Sequence, residues 1–126
     1  MLKIHKENNE DLGFVIGCLY SQAISLNEFR SWIEYVIEIS DIENIPQYIF
    51  DLADFDDYLF NISKKVGFVA SSGLSEEQKK ALEGIAYLRS RKLVDPELDK
   101  TQALKLLDKY PIIMSRFREL FPFIEI

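Results

Sequence analysis

Four aspartates crowded into one short stretch are the residues of this chain best suited to chemistry. They are Asp51, Asp54, Asp56 and Asp57. Neighbouring carboxylates can hold a divalent cation or act as an acid and base pair, and Asp51 and Asp54 are spaced to share one helix face. The stretch lacks the glycine and the closing glutamate of an EF-hand calcium loop. Three interpretations stay open: the metal site of a metal-dependent hydrolase, a solvated acidic surface, and a surface that recognises a protein.

The other reactive residue types offer little for catalysis. The chain has one histidine, His5, near its terminus and one cysteine, Cys18, in an apolar stretch. A single cysteine forms no intramolecular disulfide, and a four-ligand zinc site needs more Cys and His than the chain contains. No glycine-rich phosphate loop is present in the sequence. We therefore predict a non-enzymatic protein that uses no metal and no cofactor and works in the cytoplasm.

Charge is divided unevenly along the 126 residues. Residues 1–57 contain 12 acids and three bases, a net charge of −9, whereas residues 58–126 contain nine acids and 12 bases, a net charge of +3. The total of −6 repels nucleic-acid phosphates and favours a basic protein partner. A basic patch in the second half keeps open an alternative, a protein-interaction adaptor. Its members would be Arg89, Arg91, Lys92, Arg116 and Arg118.

The elements that must position these residues are predicted to be helices throughout. Apolar residues recur at helical spacing, as in Leu12, Val15 and Ile16, and no stretch alternates with the period of a strand. A chain of this length fits one domain. The sequence therefore predicts a single all-α domain over residues 1–126, made of six or seven short amphipathic helices, with residues 1–7 as a loose N-terminal segment.

Several helix ends are marked by local signals. Ser25 and Ser75 each begin a capping box, Asp99 is the expected N-cap of a later helix, and Gly67 suits a helix C-terminus. In the helix that follows Ser75, Glu83 falls on the face expected to point outward to solvent. These signals fix where the predicted helices begin and end.

The aspartate stretch lies where a helix is expected to end. Pro46 suits the first turn of that helix, and the four aspartates would lie at its C-terminus. Carboxylates there oppose the helix dipole, and no base lies close to them in the sequence. A local cost of this kind is typical of a functional surface.

A partner-binding surface is the interpretation that we take forward. Its core would be the four aspartates, with further acids as an electrostatic rim and with tyrosines that combine apolar area with a hydrogen-bonding tip. The rim acids are Glu34, Glu38, Asp41 and Glu43, and the tyrosines are Tyr35, Tyr48 and Tyr58.

Several stretches of the chain resemble the small bacterial immunity proteins of contact-dependent growth inhibition and related polymorphic toxin systems. These stretches are residues 26–32, 45–55, 67–68, 81–87 and 116–123. The resemblance implies an antitoxin-type protein that binds and neutralises a cognate toxin C-terminal domain, often a nuclease with a cationic groove. Apart from the resemblance, the acidic net charge predicts no nucleic-acid partner, and the lack of a long apolar run predicts no membrane partner. The oligomeric state is open, with a monomer favoured. Residues 70–73 differ from the aromatic, proline-containing loop of that family, so the identity of the toxin is not implied.

Overall fold

The computed structural model describes residues 2–126, and in that part of the chain it contains seven α-helices and two 3-10 turns. The helices are α1 (Glu10–Tyr20), α2 (Leu26–Ile39), α3 (Gln47–Leu52), α4 (Ile62–Val66), α5 (Glu76–Leu88), α6 (Lys100–Lys109) and α7 (Pro111–Leu120), and the 3-10 turns span Ile42–Asn44 and Leu59–Asn61. Residues 2–126 form no strand, only an isolated bridge between His5 and Asn8. The predicted all-α domain is thereby confirmed. None of these helices is both long and apolar enough to cross a membrane.

The predicted helix starts are also confirmed. The Ser25 hydroxyl accepts the Glu28 amide at 3.1 Å, and the Glu28 carboxylate accepts the Ser25 amide at 2.9 Å. Ser75 and Asp99 make the same reciprocal arrangement at the starts of α5 and α6. Gly67 ends α4 with a φ of 92°, a left-handed conformation that glycine adopts without steric cost. Local hydrogen bonds therefore set these boundaries.

The core is built from large side chains of α1, α2 and α7. Trp32 and Phe29 of α2 are fully buried, and they pack with Phe14 of α1 and with Phe117 and Phe121 near the chain end. The Phe117 and Phe121 rings lie 4.6 Å apart between centroids. The ends of the chain thus meet in one core.

Two glycines allow unusually close approaches of the backbone. A Cβ placed on Gly13 would lie 2.4 Å from the carbonyl carbon of Ser71, so α1 touches the main chain of the loop before α5. A Cβ on Gly84 would lie 2.7 Å from the Ala103 carbonyl oxygen, where α5 crosses α6. No larger residue fits either contact without displacing main-chain atoms.

The N-terminal segment is anchored, which corrects the expectation that residues 1–7 are loose, for the described residues 2–7. Ile4 is buried, and the Lys3 carbonyl accepts the amides of Asp11 and Leu12 at 3.1 and 3.2 Å. The Tyr48 hydroxyl donates to the Ile4 carbonyl. The first amides of a helix need acceptors from outside the helix, and here the N-terminal segment supplies one of them for α1.

Glu83 is also placed differently from the expectation. Its side chain is only 8% exposed, and its carboxylate accepts the amides of Glu97 and Leu98 at 3.0 and 2.9 Å. The connector between α5 and α6 folds over Glu83 and supplies both donors. The outward orientation that the helical pattern predicted is therefore wrong, because the partner lies 14 residues further along the chain.

Candidate functional site

The four aspartates do not share a helix face. Because α3 ends at Leu52, only Asp51 lies in the helix, and Asp54 belongs to the turn beyond it. Asp57 lies two residues before the next 3-10 turn: its carboxylate accepts the Tyr58 amide at 2.7 Å and the Asn61 side-chain amide at 3.0 Å. The opposition to the helix dipole predicted for all four aspartates therefore concerns Asp51 alone.

Asp54, Asp56 and Asp57 line one surface depression of about 620 Å³. Lys64 and Lys65 of α4 line the same depression. The sequence predicted that no local base neutralises the aspartates; α4 packs against α3 and brings two more distant lysines to the same depression. None of the five side chains forms an ion pair within 4 Å in residues 2–126.

A second depression, of about 580 Å³, adjoins the first because Asp54 and Asp56 line both. Glu34 and Arg30 of α2 complete the charged part of its lining. The Arg30 guanidinium is directed to other groups, since it donates to the Phe55 carbonyl at 2.6 Å. Asp54, Asp56 and Glu34 accept no hydrogen bond from any other group of the described chain, so their carboxylates are free for a partner.

An exposed aromatic pair follows the aspartates directly. The rings of Tyr58 and Phe60 are stacked, with centroids 5.4 Å apart and planes inclined by 5°. Tyr58 is 72% exposed and Phe60 is 65% exposed. The sequence analysis missed Phe60. The signal that could have found it is the spacing of two between the aromatic residues, which places side chains on one side where the backbone is extended, as it is at Tyr58.

The segment that carries the aspartates and the aromatic pair is held by side chains from two helices. The Tyr20 hydroxyl at the end of α1 donates to the Leu59 carbonyl at 2.9 Å. Arg30 of α2 holds the Phe55 carbonyl, as described above, and Phe55 itself is buried. Asp57 fixes the start of the 3-10 turn through Asn61. The backbone of this segment is therefore held in place before a partner binds, which lowers the entropy cost of binding.

We define the acid–aromatic face as the acids that line the two depressions and the exposed aromatic pair that follows Asp57 in the chain. They are Glu34, Asp54, Asp56, Asp57, Tyr58 and Phe60. Of the other acids predicted for the surface, Asp51, Glu38 and Glu43 are exposed but line neither depression, and Asp41 lines a separate groove near α7. The structure thus keeps part of the predicted surface together and separates the rest.

Two of the predicted tyrosines lie outside this face. Tyr48 is half-buried with its ring edge-on to Phe68 at 5.4 Å, and its hydroxyl is used by the Ile4 carbonyl. Burial raises the pKa of the Tyr48 phenol, and the nearby Glu7 charge adds to the shift. Tyr35 is half-buried and lies 6.1 Å from the Phe123 ring. Tyr48 therefore anchors the N-terminal segment, and its contact with a partner stays a prediction.

Most arginines of the predicted basic patch bind groups inside the fold instead of forming an exposed surface. Arg89 donates to the Glu28 carboxylate at 2.8 Å and to the Ala23 carbonyl at 2.7 Å, and Arg91 donates to the Gln22 carbonyl at 2.6 Å. The hydrogen bond from Arg89 holds the pKa of the Glu28 carboxyl below its usual value, although partial burial opposes the shift. These two arginines join α5 to the turn between α1 and α2.

Arg116 also binds groups inside the fold. Its guanidinium donates to the Ser72 carbonyl at 3.0 Å and to the Glu10 carbonyl at 2.7 Å, lies 3.6 Å from the Asp11 carboxylate, and covers the Phe14 ring at 4.6 Å. We call Arg89, Arg91 and Arg116, with the groups they bind, the arginine network.

Of the predicted basic patch, only Lys92 and Arg118 stay exposed, so the patch does not form. The groups that the arginines of the network bind lie far away in the sequence, so helical patterns and capping signals do not reveal them.

The comparisons with known proteins give no relative. No protein-family model, curated protein or solved structure matches this chain. The function must therefore be argued from the geometry of the surface, beside the resemblance of the sequence stretches described above.

The metal interpretation finds no ligand set in residues 2–126. No three side chains among His, Cys, Asp and Glu come close enough together there to hold a metal ion. The Asp57 carboxylate already accepts hydrogen bonds from the Tyr58 amide and the Asn61 side chain. Asp51 lies outside the depression that the other aspartates line. Cys18 is buried, and burial raises the pKa of its thiol, so it is not an activated nucleophile.

Proposed function

We propose that this chain is a protein-binding domain that captures a basic partner through the acid–aromatic face. The observation that carries the proposal is the exposed Tyr58–Phe60 stack in the segment that directly follows the free carboxylates of Asp54 and Asp56. Stacked aromatic rings left in water are typical of interface anchors, which supply most of the binding energy when a partner covers them. The adjoining carboxylates select a partner with Lys or Arg around an apolar contact.

Charge acts at two ranges in this proposal. The face itself has four acids, but Arg30, Lys64 and Lys65 line its depressions, so its local net charge is close to −1. The whole chain has a net charge of −6. We infer that the whole chain steers a basic partner from a distance, which raises the association rate, and that the face supplies the specific contacts.

The class of partner comes from the resemblance to immunity proteins. We propose that the partner is a toxin domain with a cationic surface, and that binding neutralises it in the cytoplasm. This role needs fast capture, because a few free toxin molecules suffice to harm the cell. Complementary charge supports that need, since it can raise association rates to about 10⁸ M⁻¹s⁻¹ at low salt.

The test is binding and protection with the product of the reading frame directly upstream. Its C-terminal domain is expressed in cells with and without this chain, and association is measured with both purified proteins. We expect growth protection by the wild-type chain and an association rate that falls as salt rises. Asp54→Lys/Asp56→Lys should slow association about tenfold or more, and Tyr58→Ala/Phe60→Ala should speed dissociation by a similar factor.

The matched control is Asp108→Lys/Glu125→Lys, which makes the same charge change at exposed acids away from the face. We expect it to slow association only slightly, through the net charge. Equal slowing by both double variants would show that the face makes no specific contact. A wild-type chain that neither binds nor protects would contradict the toxin-neutralising role.

A further inference from the structure

A groove of about 710 Å³ lies on a part of the surface that shares no residue with the acid–aromatic face. It runs between the N-terminal segment, the end of α2 and the helix α7. Its floor is apolar, because Ile4 and Leu120 are buried there and Tyr35 is half-buried. The volume is in the range of protein sites that hold a ligand group or a few side chains.

Two aliphatic side chains of this groove are left in water. Ile39, the last residue of α2, is 53% exposed, and Ile112, in the first turn of α7, is 62% exposed. One exposed aliphatic residue is ordinary on a protein surface. Two that line the same groove above an apolar floor form a continuous apolar contact for a large side chain of another molecule.

The charged side chains of the groove determine whether it favours a cationic or an anionic ligand. Arg116 lines it, but its guanidinium is occupied by Asp11 and by two carbonyl oxygens of the arginine network. Asp41 and Glu119 also line it, and neither carboxylate accepts a hydrogen bond or forms an ion pair in residues 2–126. Two free carboxylates favour a cation and repel phosphate or a carboxylate.

We propose that this groove docks an extended peptide segment of a protein partner that presents a large aliphatic side chain flanked by Lys or Arg. The aliphatic side chain packs against Ile39 and Ile112, and the basic side chains meet Asp41 and Glu119. Asn44 lies exposed on the rim and makes no side-chain hydrogen bond within residues 2–126, so it is available to the main chain of the peptide. A second copy of this chain fits less well, since each copy has a net charge of −6.

The experiment is a selection of phage-displayed random dodecapeptides on the full chain, with depletion on the variant Ile39→Ser/Ile112→Ser. Both isoleucines are exposed, so the variant should keep the fold, and its circular dichroism checks this. We expect enriched sequences with an aliphatic residue beside Lys or Arg. The best synthetic peptide should bind the wild-type chain at least about tenfold more tightly than it binds this variant or Asp41→Asn/Glu119→Gln.

The control variant is Val69→Ser, which removes an exposed aliphatic side chain elsewhere and should leave peptide binding unchanged. Amide shifts of the labelled full chain should locate the peptide at Ile39 and Ile112. The proposal is overturned by the absence of enrichment, by acidic sequences, or by shifts confined to the acid–aromatic face. Sedimentation that shows self-association of the wild-type chain, abolished in Ile39→Ser/Ile112→Ser, would instead assign the groove to a second copy. Binding at Ile39 and Ile112 is expected whether or not a toxin domain binds the acid–aromatic face, so the two proposals can fail separately.

Discussion

The arginine network and the acid–aromatic face use charge in opposite ways. In the network, three guanidinium groups from the second half of the chain bind carboxylates and carbonyls of the first half. In the face, Glu34, Asp54 and Asp56 bind nothing within the described residues, although bases line the same depressions. One region satisfies its charges inside the fold, and the other presents them to solvent.

This difference shows which charges stabilise the fold and which are available for function. The positive charge of the second half looked like a surface in the sequence, but three of its four arginines bind groups inside the fold. The negative charge of the first half is only partly consumed, by Glu28 and Asp11. If the comparison is correct, changes in the network should alter the free energy of unfolding, and changes in the face should leave it nearly unchanged.

The largest effect on stability is expected from Arg89→Met, which keeps the apolar stem and removes the guanidinium. The change removes the closer ion-pair partner of the Glu28 carboxylate, so that only Arg91 at 3.8 Å is left, and it leaves the Ala23 carbonyl without a donor. We expect a loss of about 2–4 kcal/mol in the free energy of unfolding, measured by urea denaturation. Lys79→Met, which breaks an exposed ion pair with Glu76, should lose at most about 1 kcal/mol.

A double variant tests the cause of that loss. In Arg89→Met/Glu28→Gln, the buried charge is gone, and glutamine still completes the capping box with Ser25. The double variant should be more stable than Arg89→Met alone. If it is less stable, the Glu28 carboxylate stabilises the fold even without Arg89, and the loss in Arg89→Met does not come from an unpaired charge.

The next effect is expected from Gly13→Ala, where the network meets the backbone. The new methyl group would lie within 3 Å of main-chain atoms of Ser71 and Ser72, whose carbonyl Arg116 binds. We expect a loss of about 1–3 kcal/mol in thermal or urea unfolding. Gly17→Ala, one turn along the same helix, meets only a Leu82 methyl at 3.4 Å and should be neutral or stabilising by up to about 1 kcal/mol. Equal effects at both glycines would contradict the close approach.

The parts of this molecule that could be predicted from sequence are those fixed by neighbours. The capping boxes at Ser25 and Ser75 and the left-handed Gly67 depend on atoms a few residues away, so sequence patterns located them. Glu83 and the arginines depend on partners between 14 and 106 residues distant. A helical pattern cannot report such partners, so it assigned these charges to solvent.

The candidate site was predictable only in part, for the same reason. The crowding of Asp54, Asp56 and Asp57 is a property of the sequence, and the structure keeps these residues in one depression. Whether Lys64 joins them depends on how α4 packs on α3, and whether Tyr48 faces solvent depends on the path of the N-terminal segment. Both are tertiary facts.

A smaller effect is expected in the pH dependence of stability, and it also belongs to the network. The folded-state pKa of Glu28 lies below its ordinary value of 4.5, mainly because Arg89 donates to it. The unfolded state therefore binds more protons in acid, so the contribution of Glu28 is complete above pH 4.5 and is lost as the pH falls through the folded-state pKa. We expect Glu28→Gln to flatten the acid limb of the stability curve by up to about 1.4 kcal/mol per pH unit.

Arg89→Met is the control for the cause of this pH dependence. Without the guanidinium, partial burial is the strongest influence left on the Glu28 carboxyl, and burial raises its pKa. The Ser25 amide and the Arg91 charge still lower this pKa, so the acid limb should flatten although the carboxyl is still present. An acid limb identical to that of the wild-type chain would contradict the role of the ion pair.

The smallest effect on stability is expected from the acid–aromatic face, and it is the sharpest test of the comparison. Asp54→Ala/Asp56→Ala removes two carboxylates that bind nothing in residues 2–126, so urea unfolding should change by less than about 0.5 kcal/mol. Asp57→Ala, in the same depression, removes the acceptor of the Tyr58 amide and of Asn61 and should lose about 1 kcal/mol. If the double variant loses more than Asp57→Ala, the lysines of α4 hold these carboxylates as part of the fold. The face would then resemble the arginine network, and its charges would no longer be available to a partner.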